Sequence, residues 1–134
     1  MNTILVTGGC GFIGANFIRF LFENEAFSGV VVNVDKLTYA GNPENLRDVE
    51  KNYPKRYVFK HGDIADKEIV NSIFQEFEPQ YVVNFAAESH VDRSILGPYD
   101  FVKSNIIGTF TLLEAAQKYW KNRKQEEQDA INEK

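Results

Sequence analysis

Apolar and polar positions in the first 35 residues follow two alternating patterns. Residues 3–7 form a short apolar run, and residues 30–34 form a second run that is rich in valine. Between these runs, apolar side chains recur at helical spacing. They are Ile13, Phe17, Phe20 and Leu21. The pattern therefore predicts a buried strand, a helix and a second buried strand in that order.

The same alternation continues along the chain. A loop over 39–43 precedes a polar helix over about 43–52, and a third strand is predicted over 57–61. Asp66 is a good N-cap for a third helix, and a fourth strand is predicted over 81–86. A last helix is predicted from about Tyr99 past Trp120. Its expected apolar stripe consists of Val102, Ile106, Thr109, Leu113, Ala116 and Trp120.

Strands that alternate with helices predict a parallel sheet with right-handed crossovers. The expected α/β fold is a partial, Rossmann-type doubly wound sheet of about four strands, in the order 3-2-1-4, with helices on both faces. We expect residues 1–121 to form this domain and 122–134 to be a polar helical extension or a disordered tail. The fourth strand would be an exposed edge, so we expect the chain to be the front portion of something longer.

Four glycines occupy the turn between the first strand and the first helix, namely Gly8, Gly9, Gly11 and Gly14. Glycine lets the backbone approach a ligand closely, and the N-terminus of a helix attracts phosphate. Asp35 ends the second strand, where a dinucleotide site has a carboxylate for the adenosine ribose. A tight turn without a ligand is the alternative. The complete succession of strand, turn, helix, strand and acid favours a dinucleotide site.

Composition narrows the possible classes of protein. A chain of 134 residues can build one domain with a real core. Its net charge of −4 argues against nucleic-acid binding, and no apolar run reaches the ~20 residues needed to cross a bilayer. A single cysteine and the lack of a leader before the first strand lead us to expect a cytoplasmic protein. Cys10 could be reactive at a helix N-terminus, but we favour a packing role for it.

Several stretches together resemble one enzyme family. The turn from Thr7 to Gly14 resembles that of the extended short-chain dehydrogenase/reductase superfamily. Within it, residues 34–42 and 84–95 resemble the dTDP-glucose 4,6-dehydratase family, as do Asn105-x-x-Gly108-Thr109 and residues 112–116. The stretch 84–95 is the most specific, because the sugar-nucleotide epimerases usually lack this whole run. The resemblance extends from residue 3 to about 121.

The resemblance implies an NAD-binding site and a role for each part of it. Phe12 and Ile13 would offer backbone N–H groups to the pyrophosphate, Asp35 would hold the ribose hydroxyls, and Asp63 would accept a hydrogen bond from the adenine amino group. Ser89 would also contact the nucleotide-sugar substrate, dTDP-glucose. The implied cofactor-binding residues are Gly8, Gly11, Phe12, Ile13, Gly14, Asp35, Lys36, Leu37, Thr38, Asp63, Ile64, Phe85, Ala86, Ala87, Glu88, Ser89 and Ser104.

Some of these residues have simpler alternatives. Asp35 could merely cap a turn, and Asp63 could be a turn former beside Gly62. A carboxylate at Asp35 would repel a 2′-phosphate and favour NAD over NADP, whereas the Lys36 ammonium could accept that phosphate. Phe85 could be a plain core residue.

His90, Asp92 and Arg93 invite an acid–base interpretation, but we expect a structural network of charge-assisted bonds in that loop. His61, at the end of the third strand, is expected to be a packing or surface residue.

The catalytic residues of the resembled family are missing from this sequence. The family oxidises the sugar at C4, eliminates water across C5 and C6, and returns a hydride to C6. It uses a tyrosine, a lysine four residues later and an Asp-Glu pair after a threonine. Tyr99-x-x-x-Lys103 has the right spacing but lies on the wrong helix, so we interpret it as a coincidental surface pair.

We therefore predict no catalytic residue, no metal site and no activity of the chain alone. The alternatives are a truncated, non-catalytic NAD-binding or interaction module, and part of another sugar-nucleotide epimerase or dehydratase. The resemblance also implies a homodimer through the last helix, which carries Phe101, Ile106, Phe110 and Leu113 as additional apolar residues.

Overall fold

A computed structural model, which describes residues 2–132, shows a four-stranded parallel sheet. Its strands are β1 (Thr3–Thr7), β2 (Val30–Asp35), β3 (Tyr57–His61) and β4 (Tyr81–Asn84). Their order across the sheet is β3-β2-β1-β4, which confirms the predicted Rossmann-type fold. All carboxyl ends lie at one edge, where ligands bind in sheets of this kind.

Helices cover both faces of the sheet. They are α1 (Phe12–Glu23), a 3₁₀ turn (Pro43–Leu46), α2 (Arg47–Asn52), α3 (Lys67–Phe77), α4 (Val91–Leu96), α5 (Pro98–Phe101), a π-helical segment (Val102–Gly108) and α6 (Thr109–Asn132). Asp66 caps α3, because its carboxylate accepts hydrogen bonds from the N–H groups of Glu68 and Ile69. Residues 122–132 continue α6, and the remainder of the predicted extension lies outside the described residues.

Neighbouring residues on the inner strands contribute to opposite sides of the core. Leu5 and Val32 belong to an apolar cluster with α3 and α6, whereas Val6 and Val31 belong to a cluster with α1 and α2. All four side chains are at most 1% exposed. Burial on both faces explains why these strands are continuous apolar runs in the sequence.

The fourth strand is shorter than predicted. The Phe85 N–H still donates to the Thr7 carbonyl, at 2.9 Å, but the Ala86 N–H donates to the Asn84 side chain instead of continuing the ladder. The strand therefore ends at Asn84 rather than Ala86. Helix α4 was not expected from the sequence, and none of its residues is buried, so no core-facing pattern marks it.

The predicted single stripe on the last helix is wrong. Leu112, Ala115 and Ala116 are buried against the sheet, whereas Ile106 and Leu113 are 64% and 66% exposed. Val102 is exposed as well, so the large apolar residues of this region did not identify its buried face. Within residues 2–132, none of the helices is both long and apolar enough to pass through a membrane.

Candidate functional site

A cavity of about 240 Å³ opens at the carboxyl ends of the strands, above the turn between β1 and α1. All the predicted cofactor-binding residues except Leu37 line it. They are Gly8, Gly11, Phe12, Ile13, Gly14, Asp35, Lys36, Thr38, Asp63, Ile64, Phe85, Ala86, Ala87, Glu88, Ser89 and Ser104. The fold thus brings together residues from five separate segments of the chain.

Four further residues line the cavity that the sequence did not single out, namely Val34, Ala40, Gly41 and Gly62. Gly41 has a specific steric role, because a Cβ there would lie 2.8 Å from Oδ1 of Asp35. The only sequence feature that could have pointed to this position is that a glycine occurs in the loop after β2. Its importance depends on how that loop folds back over Asp35, which periodicity does not reveal.

The glycine turn approaches the segment after β4 closely. Gly8 has a φ of +68°, and a Cβ there would lie 2.5 Å from the Ala86 nitrogen. Phe12 and Ile13 then begin α1, with their side chains mostly exposed. Backbone N–H groups in the first turn of a helix have no intrahelical acceptor and carry partial positive charge. This end of the cavity is therefore suited to an anionic group.

Asp35 lies at the end of β2 and is only 8% exposed. Its Oδ2 accepts a hydrogen bond from the Cys10 N–H at 2.9 Å, and its Oδ1 accepts one from the Leu37 N–H at 2.8 Å. Leu37 thus supports the carboxylate through its backbone, at a φ of +57°, rather than lining the cavity. Each carboxylate oxygen has further acceptor capacity for a hydroxyl group.

A buried polar network supports the glycine turn from below. Asn33 is fully buried; its Oδ1 accepts from the Gly9 N–H at 3.1 Å, and its Nδ2 donates to the Tyr57 hydroxyl at 2.9 Å. The same Nδ2 lies 3.4 Å from Sγ of Cys10. Burial raises the pKa of Tyr57 to about 12.

Cys10 is a packing residue of this network. Burial, with the nearby charge of Asp35, raises the pKa of the thiol to about 11. A thiol that stays protonated and inaccessible is a poor nucleophile. The geometry therefore supports the packing role over the reactive one.

Asp63, in the loop after β3, lines the same cavity and contacts two lysines. Its Oδ2 lies 3.1 Å from Nζ of Lys36 and 3.3 Å from Nζ of Lys103. Its Oδ1 accepts a hydrogen bond from the Ala65 N–H at 2.9 Å. Burial works to raise the pKa of Asp63, but this hydrogen bond and the two ammonium groups outweigh it and hold the pKa below its usual value.

The segment 85–89 is fixed against the last helical region. Asn105 accepts a hydrogen bond from the Glu88 N–H at 2.8 Å and donates one to the Glu88 carbonyl at 2.9 Å. The Phe85 ring packs against Phe17 of α1, with centroids 5.3 Å apart. Phe85 therefore both contributes to the core and lines the cavity.

The loop after this segment is held mainly by aromatic contacts. The Arg93 guanidinium lies 3.9 Å from the centroid of the Tyr39 ring, and the His90 ring meets Tyr39 edge-on at 5.8 Å. These contacts involve the Tyr39 ring and are not the charge-assisted hydrogen bonds that we expected in this loop. Tyr99 is 67% exposed, whereas Lys103 pairs with Asp63 and is not a simple surface residue.

His61 lies at the surface and its Nε2 is 3.0 Å from the Lys36 carbonyl. No group of three metal-ligating side chains occurs among residues 2–132. The cavity offers N–H donors for an anion, and the carboxylates of Asp35 and Asp63 for hydroxyl or amino groups.

The chain is similar to known nucleotide-sugar dehydratases along most of its length. A family model described as GDP-mannose 4,6 dehydratase matches residues 5–128. The chain is 54% identical over 117 residues to a dTDP-glucose 4,6-dehydratase of Escherichia coli, which covers 87% of this chain and 31% of that protein.

Two solved structures share the fold. The dTDP-glucose 4,6-dehydratase DesIV of Streptomyces venezuelae, solved with NAD and TYD bound, has a TM-score of 0.79 at 42% identity, over 87% of this chain and 36% of its own. A UDP-glucose 4-epimerase of Thermotoga maritima, solved with UDP-glucose, has a TM-score of 0.74 at 38% identity, over 87% and 34%. The chain thus spans about a third of the length of the relatives that it matches.

Proposed function

Because the chain belongs to the GDP-mannose 4,6 dehydratase family, we propose that it binds NAD in the cavity above the glycine turn. One observation carries this proposal: a helix N-terminus and the buried Asp35 face the same cavity. The first suits a pyrophosphate, and the second suits the hydroxyls of an adenosine ribose. DesIV, which is similar to this chain, is described with NAD bound.

The shape of the turn fits such a cofactor. A Cβ on Gly14 would collide with the Gly8 carbonyl oxygen, so the start of α1 can pack closely on the turn only without a side chain there. In the proposed site, the backbone N–H groups of Phe12 and Ile13 hold the pyrophosphate. Phe85 to Ala87 run under the cofactor towards the nicotinamide.

The adenosine end is assigned to the residues after β2 and β3. Asp35 accepts from the ribose hydroxyls, and the segment 36–38 lines the same end. Asp63 accepts from the adenine amino group, beside Ile64. Ser104 is proposed to lie beside the cofactor, because it is a buried residue of the same cavity.

The activity of the complete enzyme is a further proposal. We assign to it the conversion of dTDP-glucose to dTDP-4-keto-6-deoxyglucose, a lyase reaction of deoxysugar (rhamnose-type) biosynthesis. Bound NAD supplies the hydride acceptor and donor for this chemistry. This chain would hold the cofactor and contact the sugar nucleotide through Ser89.

We propose that residues 1–134 have no activity by themselves, because the tyrosine, lysine and Asp-Glu pair of the resembled family have no counterpart in the sequence. Incubation with dTDP-glucose and NAD tests this. Formation of the 4-keto-6-deoxy product would refute it.

Titration calorimetry with NAD tests the proposed binding. We expect one NAD to bind per chain, with binding lost when the protein is unfolded by urea. A chain that is folded by circular dichroism but gives no binding signal at millimolar NAD would contradict the proposal.

A second candidate is part of a sugar-nucleotide epimerase, which the Thermotoga maritima structure favours because its TM-score of 0.74 is close to that of DesIV. The DNA downstream of codon 134 distinguishes the candidates. A reading frame that encodes both Thr-Asp-Glu and Tyr-x-x-x-Lys supports the dehydratase. The absence of both motifs from the downstream DNA would favour a stand-alone binding module.

Homodimerisation through α6 and a cytoplasmic location complete the proposal. Exposed Phe110 and Leu113 on α6 support the first. A single buried thiol, Cys10, supports the second, since it offers no intrachain disulfide.

A further inference from the structure

Lys36 directly follows the carboxylate that is proposed to bind the adenosine ribose. A cation at such a position can accept the 2′-phosphate of NADP. In this chain, however, Nζ of Lys36 lies 3.1 Å from Oδ2 of Asp63, on the neighbouring strand-end loop. The Lys36 ammonium therefore forms an ion pair with Asp63, and both residues line the cavity.

Asp63 is itself held firmly in place. Its side chain is 18% exposed, and the Ala65 N–H donates to its other oxygen. Nζ of Lys103, from the π-helical segment, contacts the same Oδ2 at 3.3 Å. The lowered pKa of Asp63 keeps it ionised at neutral pH. One carboxylate thus pairs with two lysines from different segments.

We propose that Asp63 is a positioning residue that favours NAD over NADP by holding the Lys36 ammonium in this ion pair. Held there, the Lys36 ammonium is directed at Asp63 rather than at a 2′-phosphate beside Asp35. The inference rests on the proposed NAD site and adds a determinant of cofactor choice outside the ribose-binding residue. A cation released from its carboxylate partner would attract the additional negative charge of NADP.

The test measures NAD and NADP dissociation constants by calorimetry, using the 134-residue chain. The variants are Asp63→Asn, Lys103→Ala and the double variant Asp63→Asn/Lys36→Ala. Asparagine retains a carbonyl oxygen that can accept from the adenine amino group, and the readout is the ratio of the two dissociation constants rather than either one alone. Lys103→Ala is the matched control, because it removes the other ion pair to Oδ2 and leaves Lys36 paired.

We expect Asp63→Asn to lower the ratio of the NADP to the NAD dissociation constant by roughly fivefold. A change of this size is typical of one partly exposed charged contact. Lys103→Ala should leave the ratio unchanged, and the double variant should restore the natural ratio. A purely structural role of Asp63 would weaken both cofactors equally and leave the ratio unmoved.

An unchanged ratio in Asp63→Asn, or a gain that persists in the double variant, would overturn the inference. If Asp63→Asn does not fold by circular dichroism, Asp63→Ser replaces it in both variants. Failure of the natural chain to bind NAD at all would instead contradict the proposed function, so the two failures are distinguishable.

Discussion

Strands β2 and β4 both flank β1, but they are buried to very different extents. Every residue from Val31 to Asp35 on β2 is buried. On β4, Tyr81 is 55% exposed, Asn84 is also exposed, and the two valines between them are only half-buried. Strand β2 pairs with β1 and β3, whereas β4, within residues 2–132, pairs with β1 alone.

The region around β2 is therefore covered by the chain itself, whereas the region around β4 is exposed. Beside β2, the polar groups of Asn33 and Asp35 find partners in the turn and loops of this chain. In the last helical region, by contrast, several large apolar residues are exposed, including Ile106, Phe110 and Leu113. Exposed apolar residues can mark an interface, so we expect β4 and the exposed residues of the last helical region, called the open region below, to take part in association.

The largest expected effect concerns the inner strands. Leu5→Ala removes a side chain that is 1% exposed on β1, and we expect the free energy of unfolding to fall by about 2–5 kcal/mol. Leu113→Ala, in the open region, should change it by less than about 0.5 kcal/mol. Urea denaturation of both variants checks the contrast, and equal losses would show that the open region is core.

Asp35→Ala should weaken NAD binding by about 1–3 kcal/mol, because a charged hydrogen bond to the ribose is lost. NADP binding should weaken much less, or improve, since the repulsion of its 2′-phosphate is removed. Calorimetry with both cofactors is the measurement, and Asp129→Ala on α6 is the control. Equal losses for NAD and NADP would contradict the ribose assignment.

The buried network beneath the turn predicts an alkaline loss of stability. The folded chain raises the pKa of Cys10 from 9.0 to about 11, so the unfolded chain releases this proton first as pH rises. The free energy of unfolding should therefore be fully maintained below pH 9 and fall between pH 9 and 11, by on the order of 2–3 kcal/mol. Cys10→Ala should flatten this part of the profile. Identical urea-denaturation profiles for both proteins over that range would exclude the effect.

Self-association is the smallest effect and tests the open region directly. We expect dimers or larger species at micromolar concentration, through burial of apolar area. Leu113→Gln should weaken association by roughly 1 kcal/mol per subunit, without loss of fold. Sedimentation velocity and circular dichroism check this. A folded natural chain that sediments only as a monomer would show that the open region is not an interface.

Local patterns in the sequence predicted most of the architecture. Three of the four strands have their predicted bounds to within one residue. For the inner strands β1 and β2, this follows from burial on both faces, which makes them apolar runs. The glycine turn and Asp35 also follow from spacing alone, and the family resemblance is confirmed by the family match and by the dehydratase relatives. That resemblance supplied the residues of the cavity lining that no pattern marks, such as Ser104.

Other features depend on contacts between distant residues. The Asp63–Lys103 pair joins residues 40 positions apart in the chain, and Lys103 was interpreted as a surface residue because helical spacing does not reveal its partner. The same holds for Gly41, whose need for glycine arises only where its loop meets Asp35. The buried residues of α6 are likewise set by its packing with α3 and the sheet, against the predicted stripe.

The sequence by itself determined the order of strands and helices, the glycine turn and the acid at the end of β2, because these rest on burial and backbone preferences within a few residues. The tertiary structure alone decided how Asn33 supports the turn, which carboxylate pairs with Lys36 and which face of α6 is exposed. Those outcomes arise when segments far apart in the chain pack together, and their hydrogen bonds and ion pairs depend on distances that no local pattern encodes.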